Sequence, residues 1–182
     1  MNKKLKKTKQ LIQPEKDNPL WKQLLNELTI IYNEKLTLIF PSEWNQNCFS
    51  LFHIMEKYGF RRELQYSYEE ILKNLENPDL VFWFITKDDE PQIVVLGYSI
   101  LENQKKSFYV DTYAVKPRGK GIGKIVIQFL IRWAKTKNYH SISLDTELQD
   151  EKGFSLKQFY TKLGFETVSL SDKGDLVMKF EL

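Results

Sequence analysis

The segment Arg118–Lys124 contains the residue types that point most directly to chemistry. It combines three glycines with three cations in seven residues. Glycine adopts positive φ and presents no Cβ to an approaching ligand, and the first N–H groups of a following helix lack partners within that helix. Such a segment suits a phosphate or pyrophosphate at a helix N-terminus. A tight strand-to-helix turn without a ligand is the simpler alternative, and this density of glycines and cations makes it the weaker one.

The spacing of the glycines differs from those of two common phosphate-binding loops. A Walker A loop needs one more residue than Gly119 to Gly123 provides, and Ile125 stands where its magnesium-binding hydroxyl belongs. A dinucleotide fingerprint reads Gly-x-Gly-x-x-Gly, whereas this chain has Gly-x-Gly-x-Gly. The segment therefore belongs to neither class.

The residues on either side of this segment predict a strand followed by a helix. The run up to Val115 is apolar and β-branched, which is typical of a buried strand, and Pro117 ends it. Apolar residues from Ile125 to Trp133 recur at helical spacing and predict a helix over 121–137. The glycines thus connect a strand to the first turn of a helix.

Periodicity and capping signals predict the remaining elements. Helices are expected over 19–34, from a Ser42 cap through Tyr58, after the capping-box spacing Ser67–Glu70, and over 154–163. A short apolar segment at 36–40 ends at Pro41. Apolar and β-branched runs bounded by turn residues predict strands at 80–86, 93–102, 108–115, 140–146, 165–170 and 176–182. From residue 80 the order is β-β-β-α-β-α-β-β, which indicates an α/β fold with a mixed sheet.

Composition indicates one folded domain behind a basic tail. The 182 residues carry a formal charge of +3, and five lysines lie in the first ten residues. We predict a basic, flexible tail over 1–17 and a single domain over 18–182. The charge belongs to the tail, so no nucleic-acid face is expected on the domain. A nucleic-acid partner held by the tail stays as a hypothesis, which deleting residues 1–10 would test.

Several other classes of protein are disfavoured by the sequence. No apolar run approaches the roughly 20 residues of a membrane span, so no membrane association is expected. Cys48 is the only cysteine, which excludes an internal disulfide and fits a reducing, cytoplasmic location. No His, Cys, Asp and Glu cluster has metal-ligand spacing, so no metal is expected.

Two motifs resemble those of the GCN5-related N-acetyltransferases. Arg118, Gly121 and Gly123 fit the pattern Arg/Gln-x-x-Gly-x-Gly/Ala of that family's motif A. The run Phe159–Phe165, at the expected distance, is similar to the end of the family's late helix. The resemblance covers roughly residues 80–182. It implies a mixed, mainly antiparallel sheet flanked by helices, with the helices before residue 80 added at the N-terminus.

The resemblance also implies a cofactor and a set of site residues. Acetyl-coenzyme A (acetyl-CoA) is the expected co-substrate, with its pyrophosphate on the loop amides and its pantetheine arm along the preceding strand. The expected cofactor-binding residues are Tyr113, Ala114, Val115, Arg118, Gly119, Lys120, Gly121, Ile122, Gly123 and Lys124. The amide of Val115 is the expected oxyanion donor.

Two residues are candidates for proton transfer. The resemblance assigns to Tyr160 the proton for the departing thiolate, although a core aromatic on a helix end is the alternative. Asp111 is the candidate base for the amine, and lying two residues from Tyr113 it is expected on the same face of the strand. Its alternative is a structural carboxylate with hydrogen bonds to neighbouring elements.

The sequence departs from the family's pattern in three places. Pro117 directly precedes Arg118, where two intervening residues are usual, and Gly153 stands where an asparagine is usual. The helical insert at 42–76 is long for the segment that covers the acceptor. The leading hypothesis is direct acetyl transfer to a small-molecule or peptide amine. A catalytically inactive acyl-CoA sensor is the rival, and the oligomeric state stays open, with a homodimer among the options.

Overall fold

A computed structural model describes residues 9–11, 18–77, 79–150 and 152–182. Its strands are β1 (Lys9–Gln10), β2 (Thr37–Ile39), β3 (Glu43–Trp44), β4 (Val81–Lys87), β5 (Glu90–Glu102), β6 (Lys105–Val115), β7 (Ser141–Thr146), β8 (Glu166–Leu170) and β9 (Leu176–Glu181). Its helices are α1 (Pro19–Tyr32), α2 (Gln46–Gly59), α3 (Tyr68–Asn74), α4 (Ile122–Thr136) and α5 (Leu156–Thr161).

Seven of these strands form one sheet in the order β2-β4-β5-β6-β7-β9-β8. The pair β6–β7 is parallel and every other pair is antiparallel. The two parallel strands are joined through α4, as a parallel connection requires. The predicted fold class, a mixed and mainly antiparallel sheet flanked by helices, is confirmed.

Tight turns connect the three meandering strands at the start of the sheet. Asp88 and Asp89 join β4 to β5 with φ of 47° and 63°, and Asn103 and Gln104 join β5 to β6 with φ of 50° and 65°. Two consecutive residues with positive φ are typical of the hairpin turns that match strand twist, and Asp and Asn tolerate this conformation. The β4–β5 turn is therefore shorter than the interval between the predicted strands 80–86 and 93–102, because Glu90 and Pro91 belong to β5.

The sheet separates two hydrophobic cores. The first core lies on the face covered by α1 and α4 and includes Trp21, Trp83 and Phe129. The second core lies on the face covered by α2 and α3 and includes Trp44 and Phe52. Strand β6 contributes side chains to both cores, so its two faces look onto different environments.

Helix α2 begins three residues later than the sequence predicts. Asn45, not Ser42, is its N-cap, and the Asn45 side chain accepts a hydrogen bond from the Cys48 N–H at 3.0 Å. The intervening Glu43–Trp44 is extended because it pairs with β1. Trp44 is fully buried, and it reaches the second core from a strand and not from the helix.

Part of the predicted tail has described structure. Lys9 and Gln10 pair with β3, and the Leu11 N–H donates to the Ser42 carbonyl at 2.9 Å. Residues 1–8 and 12–17, where most of the predicted tail falls, lie outside the described residues. Within the described part of the chain, no helix is long and apolar enough to cross a membrane.

Candidate active site

The turn before α4 is open to solvent. Gly119 and Gly121 have φ of 86° and 77°, a conformation that residues with a Cβ rarely adopt. A Cβ built on either residue would have no atom within 4 Å. The protein's own side chains therefore leave the surface of the predicted phosphate loop clear.

The first turn of α4 is built to receive an anion. Gly121 is the N-cap of this 15-residue helix, so no side chain caps it. The first N–H groups have no partners within the helix and carry the positive end of its dipole. The buried side chain of Ile122 anchors the turn, while Lys120 and Lys124 are exposed beside it.

Gly123 has a packing role that differs from that of the other two glycines. A Cβ here would lie 3.2 Å from the Tyr113 hydroxyl and 3.3 Å from Phe159 Cζ. The Tyr113 hydroxyl donates to the Gly123 carbonyl at 3.0 Å. Gly123 thus lets β6 and α5 approach the first turn of α4, which brings the two motifs together.

The Arg118 side chain points away from the turn. Its guanidinium donates to Asp150 Oδ2 at 2.6 Å and to the Gly59 carbonyl at 3.0 Å, and lies 5.8 Å from the ring centre of Tyr58. Asp150 in turn accepts two N–H groups of the loop before α5 through Oδ1. The Arg118 side chain therefore connects α2 to that loop. Its guanidinium is occupied by these contacts, so the main-chain N–H of Arg118 is the group that could contact a cofactor. Asp150 was not among the predicted site residues.

Strands β6 and β7 separate beside this turn. Their parallel pairing runs from Ser107 opposite Ser141 to Val110 opposite Leu144 and stops there. Strand β6 continues to Val115 along β5, and β7 continues to Thr146 along β9. Within the described residues, a gap flanked by two strands therefore opens beyond Val110. An extended chain could pair with β6 along this gap, as an added strand would.

The N–H group of Val115 points into the gap. The next residue, Lys116, donates its N–H to the Gln92 carbonyl on the β5 side at 2.7 Å. Successive N–H groups along a strand point to opposite edges, so those of Val115 and Tyr113 face away from β5. Ala114, between them, projects into the second core, where a Cβ on Gly59 would lie 3.0 Å from its own Cβ.

Tyr113 and Tyr160 lie close together on the α4 face of the sheet. Burial raises the pKa of both phenols, and the proximity of Tyr160 raises that of Tyr113 further. The Tyr160 ring packs against Phe159 and Phe165 at centroid distances of 5.0 and 5.7 Å. Among the described residues its hydroxyl has no hydrogen-bond partner, unlike that of Tyr113. The ring thus belongs to the core, and the hydroxyl is available to a ligand.

Asp111 lies on the opposite face from Tyr113, contrary to the prediction. Leu96 pairs with Thr112 while the next residue, Gly97, pairs with Val110, so Asp111 is the extra residue of a β-bulge. A bulge shifts the alternation of side chains by one residue. Asp111 therefore faces the α2 and α3 side, whereas Tyr113 packs against the first core.

Three hydroxyl groups surround the Asp111 carboxylate. Tyr66 and Tyr98 donate to Oδ1 at 3.2 and 3.5 Å, and Thr112 donates to Oδ2 at 3.1 Å. Burial raises the pKa of Asp111, these hydrogen bonds oppose the shift, and the nearby Asp145 carboxylate adds to it. A carboxyl group with a raised pKa is a stronger base than usual, which suits removal of a proton from an amine.

Two further residues near Asp111, Glu56 and Tyr98, were not among the predicted site residues. Glu56, on α2, is 1% exposed and accepts a hydrogen bond from the Tyr66 N–H at 3.0 Å. Tyr98, on β5, contacts both Asp111 and the ring of Tyr109. A glutamate in an otherwise apolar stretch of an amphipathic helix was the available signal for Glu56.

Other polar or aromatic residues that could reach an acceptor mostly have structural roles. Trp83 is in the first core and Tyr68 in the second. Arg61 forms ion pairs with Glu63 and Glu147. Only Tyr66 of this group contacts a candidate catalytic residue.

Comparison with models of known protein families shows to which family the chain belongs. The model of the acetyltransferase (GNAT) family matches residues 43–165, well over half of the chain. The protein therefore belongs to the GNAT family, as the two sequence motifs predicted. No curated protein gives a significant match.

Solved structures share the fold at low sequence identity. The ribosomal-protein-S18-alanine N-acetyltransferase from Escherichia coli is 13% identical, with 80% of this chain and 93% of that chain covered at a TM-score of 0.60. Arabidopsis thaliana Naa50, in complex with the bisubstrate analogue CoA-Ac-MVNAL, is 16% identical, covering 81% and 99% at 0.59. The PaiA N-acetyltransferase from Thermoplasma acidophilum, in complex with coenzyme A, is 18% identical, covering 81% and 99% at 0.55.

Proposed function

We propose that this protein transfers an acetyl group from acetyl-CoA directly to an amine. The observation that carries the proposal is the open turn before α4, which lies next to the gap between β6 and β7. A diphosphate can bind at that turn, and an extended arm can enter the gap beside it. Family membership supports the same co-substrate.

The residues around the gap suit successive steps of the transfer. The backbone of Gly119–Lys124 holds the diphosphate, and the edge of β6 at Tyr113–Val115 pairs with the pantetheine arm. The thioester carbonyl then lies at the Val115 N–H, which stabilises the oxyanion as the amine attacks. Tyr160 gives its proton to the departing thiolate.

The amine approaches from the face opposite to Tyr160. Asp111 lies on that face within a ring of hydroxyl groups, and it accepts the ammonium proton directly or through water. The separation of the two strands lets the thioester meet an acceptor from the other side of the sheet. This arrangement favours direct transfer without a covalent acyl-enzyme intermediate.

The acceptor is a peptide or small-molecule amine in this proposal. Two structural neighbours are described with a peptide-containing ligand or with coenzyme A and a Gag peptide. The tyrosine-rich surface around Asp111 offers hydroxyl donors and acceptors for either kind of molecule. A panel containing a polyamine, an amino acid, an aminoglycoside and the peptide MVNAL would rank these classes.

Replacing Tyr160 by Phe separates an enzyme from a sensor. An enzyme should lose about 100-fold in turnover, measured as thiol release, while calorimetry shows acetyl-CoA affinity within about twofold of wild type. Tyr139→Phe is the matched control, because Tyr139 is also buried in the first core and bonds only structurally, to Ser99. Thiol release by neither wild type nor variants with any amine, despite acetyl-CoA binding, would support the sensor.

A further inference from the structure

Glu56 presents a carboxylate that its structural role does not require. Its Oε1 accepts one main-chain N–H, that of Tyr66, at 3.0 Å, and its Oε2 lies 3.5 Å from His53 Nδ1. A glutamine would accept the same N–H without burying a charge, and burial of a charge is costly. The negative charge therefore needs an explanation beyond anchoring the chain.

The surroundings of Glu56 disfavour its ionised form. Glu56 lies in the last turn of α2, at the negative end of the helix dipole. Burial is the main cause that raises its pKa to about 7, the carboxylates of Asp111 and Glu70 add to the shift, and the Tyr66 N–H opposes it. His53 offers little compensation, because burial and Lys57 lower its pKa.

Tyr66 links the carboxylates of Glu56 and Asp111. Its N–H donates to Glu56 and its hydroxyl donates to Asp111 Oδ1 at 3.2 Å. Loss of the Glu56 contact would free the main chain that aims the Tyr66 phenol at Asp111. The negative charge of Glu56 also disfavours a second negative charge on Asp111, which makes Asp111 a stronger base.

We propose that Glu56 is a positioning residue for acetyl transfer, which acts on Asp111 through the main chain of Tyr66 and through its own charge. This inference rests on the proposed function, in which Asp111 receives the proton of the amine. Glu56 itself touches no reacting atom, since it is fully buried beneath Tyr66. Its effect is on the orientation and the basicity of the neighbouring carboxylate.

The charged and titratable groups in and around the pair formed by Glu56 and Asp111 determine which variants are informative. They are His53 and Lys57 on α2, Tyr66 in the following segment, Glu70 on α3, Tyr98 on β5, Asp111 on β6 and Asp145 on β7. Glu56→Gln removes one charge from this set and keeps an oxygen for the Tyr66 N–H. Glu63→Gln is the matched control, because Glu63 is an exposed glutamate near Tyr66 and, among the residues that the structure describes, pairs only with Arg61.

The first test follows the Asp111 carboxyl by ¹³C NMR during a pH titration and needs no turnover. In wild type the Asp111 signal should respond to two coupled ionisations. In Glu56→Gln it should follow one step, without the second inflection that ionisation of Glu56 adds. An unchanged Asp111 titration in Glu56→Gln would overturn the proposal, whether or not the protein acetylates amines.

The second test measures acetyl transfer between pH 6 and 9 with the best amine of the panel. Glu56→Gln should lower kcat by about tenfold at pH 8 and remove the rise of the rate around pH 7, with the KM for acetyl-CoA unchanged. Tyr66→Phe should act through the same carboxylate, so the double variant should lose no more than about the larger single effect. The positioning role would be refuted if the kcat losses of the two single variants multiply in the double variant. A pH profile of Glu56→Gln that superimposes on that of wild type would refute it as well.

The two tests separate failure of this inference from failure of the proposed function. A wild-type protein that releases no thiol with any amine contradicts the proposed function alone, since the coupling of the two carboxyl groups is still measured by NMR. An active wild type whose Glu56→Gln variant matches Glu63→Gln in both tests contradicts the inference alone.

Discussion

The two faces of β6 differ in whether their candidate site residues are contiguous in the sequence. On the α4 face, the residues that would hold acetyl-CoA come from one continuous stretch, 113–124, joined by Tyr160. On the α2 face, the residues around the acceptor come from α2, the segment after it, β5 and β6. The cofactor side is thus encoded locally, whereas the acceptor side exists only after the sheet and the helical insert have assembled.

This difference suggests a division of labour between the faces. A diphosphate presents the same shape to every member of the family, so a short backbone motif suffices for it. An acceptor is recognised by side chains, which can change independently on several elements. Variants of the glycine turn before α4 should therefore alter affinity for acetyl-CoA, and variants around Asp111 should alter turnover.

The largest effect is expected on the cofactor face from Gly121→Val. The new side chain would project from the open turn that we propose as the diphosphate site, and we expect acetyl-CoA affinity to fall by about 100-fold or more. Calorimetry measures this directly. Gly174→Val is the matched control, because Gly174 has a φ of 85° and the same open space in the β8–β9 turn.

Both glycine variants should lose similar stability, about 1–2 kcal/mol, from the positive φ alone. Denaturant unfolding would establish that equivalence before the affinities are compared. An equal loss of affinity in both variants would attribute the effect to folding and argue against a diphosphate at the α4 turn.

On the acceptor face, Asp111→Asn should reduce turnover and leave cofactor affinity intact. Loss of the base should lower kcat by about 100-fold, because the amine then relies on solvent for deprotonation. Stopped assays of thiol release give kcat, and calorimetry gives the affinity for acetyl-CoA. Asp88→Asn is the control, since Asp88 occupies a hairpin turn with positive φ that asparagine tolerates. A fall in acetyl-CoA affinity would place Asp111 on the cofactor side.

The strand, turn and helix of the cofactor face were predicted from the sequence because their determinants are contiguous. The order of elements, the turn before α4 and its neighbouring strand all follow from local periodicity and glycine spacing. The predicted start of α2 was wrong because Glu43–Trp44 pairs with β1 and is therefore extended. That pairing depends on a segment more than thirty residues away in the sequence. Local capping signals do not contain that pairing.

The prediction that Asp111 lies on the same face of β6 as Tyr113 was wrong for a related reason. Alternation along an uninterrupted strand puts Asp111 with Tyr113, but the bulge reverses it, and a bulge depends on the register with β5. Gly97 carried a signal, since a glycine within a strand often marks a bulge. A Cβ at Gly97 would lie 2.4 Å from Phe108 Cζ and 2.7 Å from the Tyr109 carbonyl, so only glycine fits there.

A smaller effect is expected on stability from the buried charge of the acceptor face. The pKa of Glu56 is raised in the folded protein from the usual 4.5 to about 7. Below pH 4.5 the group is protonated in both states, and as the pH rises to 7 the unfolded chain loses the proton first, which favours unfolding. Glu56→Gln lacks this penalty.

The difference in unfolding free energy between Glu56→Gln and wild type should therefore grow with pH. We expect an increase of about 2–3 kcal/mol in favour of the variant between pH 4.5 and 7.5, measured by denaturant unfolding at several pH values. Glu63→Gln, on the surface, should show no such trend. A difference that stays constant with pH would mean that Glu56 ionises normally in the folded protein.

The smallest effect concerns Arg118, which belongs to the cofactor motif by sequence and to α2 by contact. Its side chain holds Asp150 and the Gly59 carbonyl, so Arg118→Met should destabilise the fold while changing acetyl-CoA affinity by less than about tenfold. A double-mutant cycle with Asp150→Asn should give a coupling energy of about 1–2 kcal/mol in unfolding free energy. Additive effects on the unfolding free energy would show that Arg118 and Asp150 do not form a stabilising ion pair. A loss of acetyl-CoA affinity as large as that of Gly121→Val would instead mean that the Arg118 guanidinium binds the diphosphate. Arg118 would then serve the cofactor face and not the connection between α2 and the loop before α5.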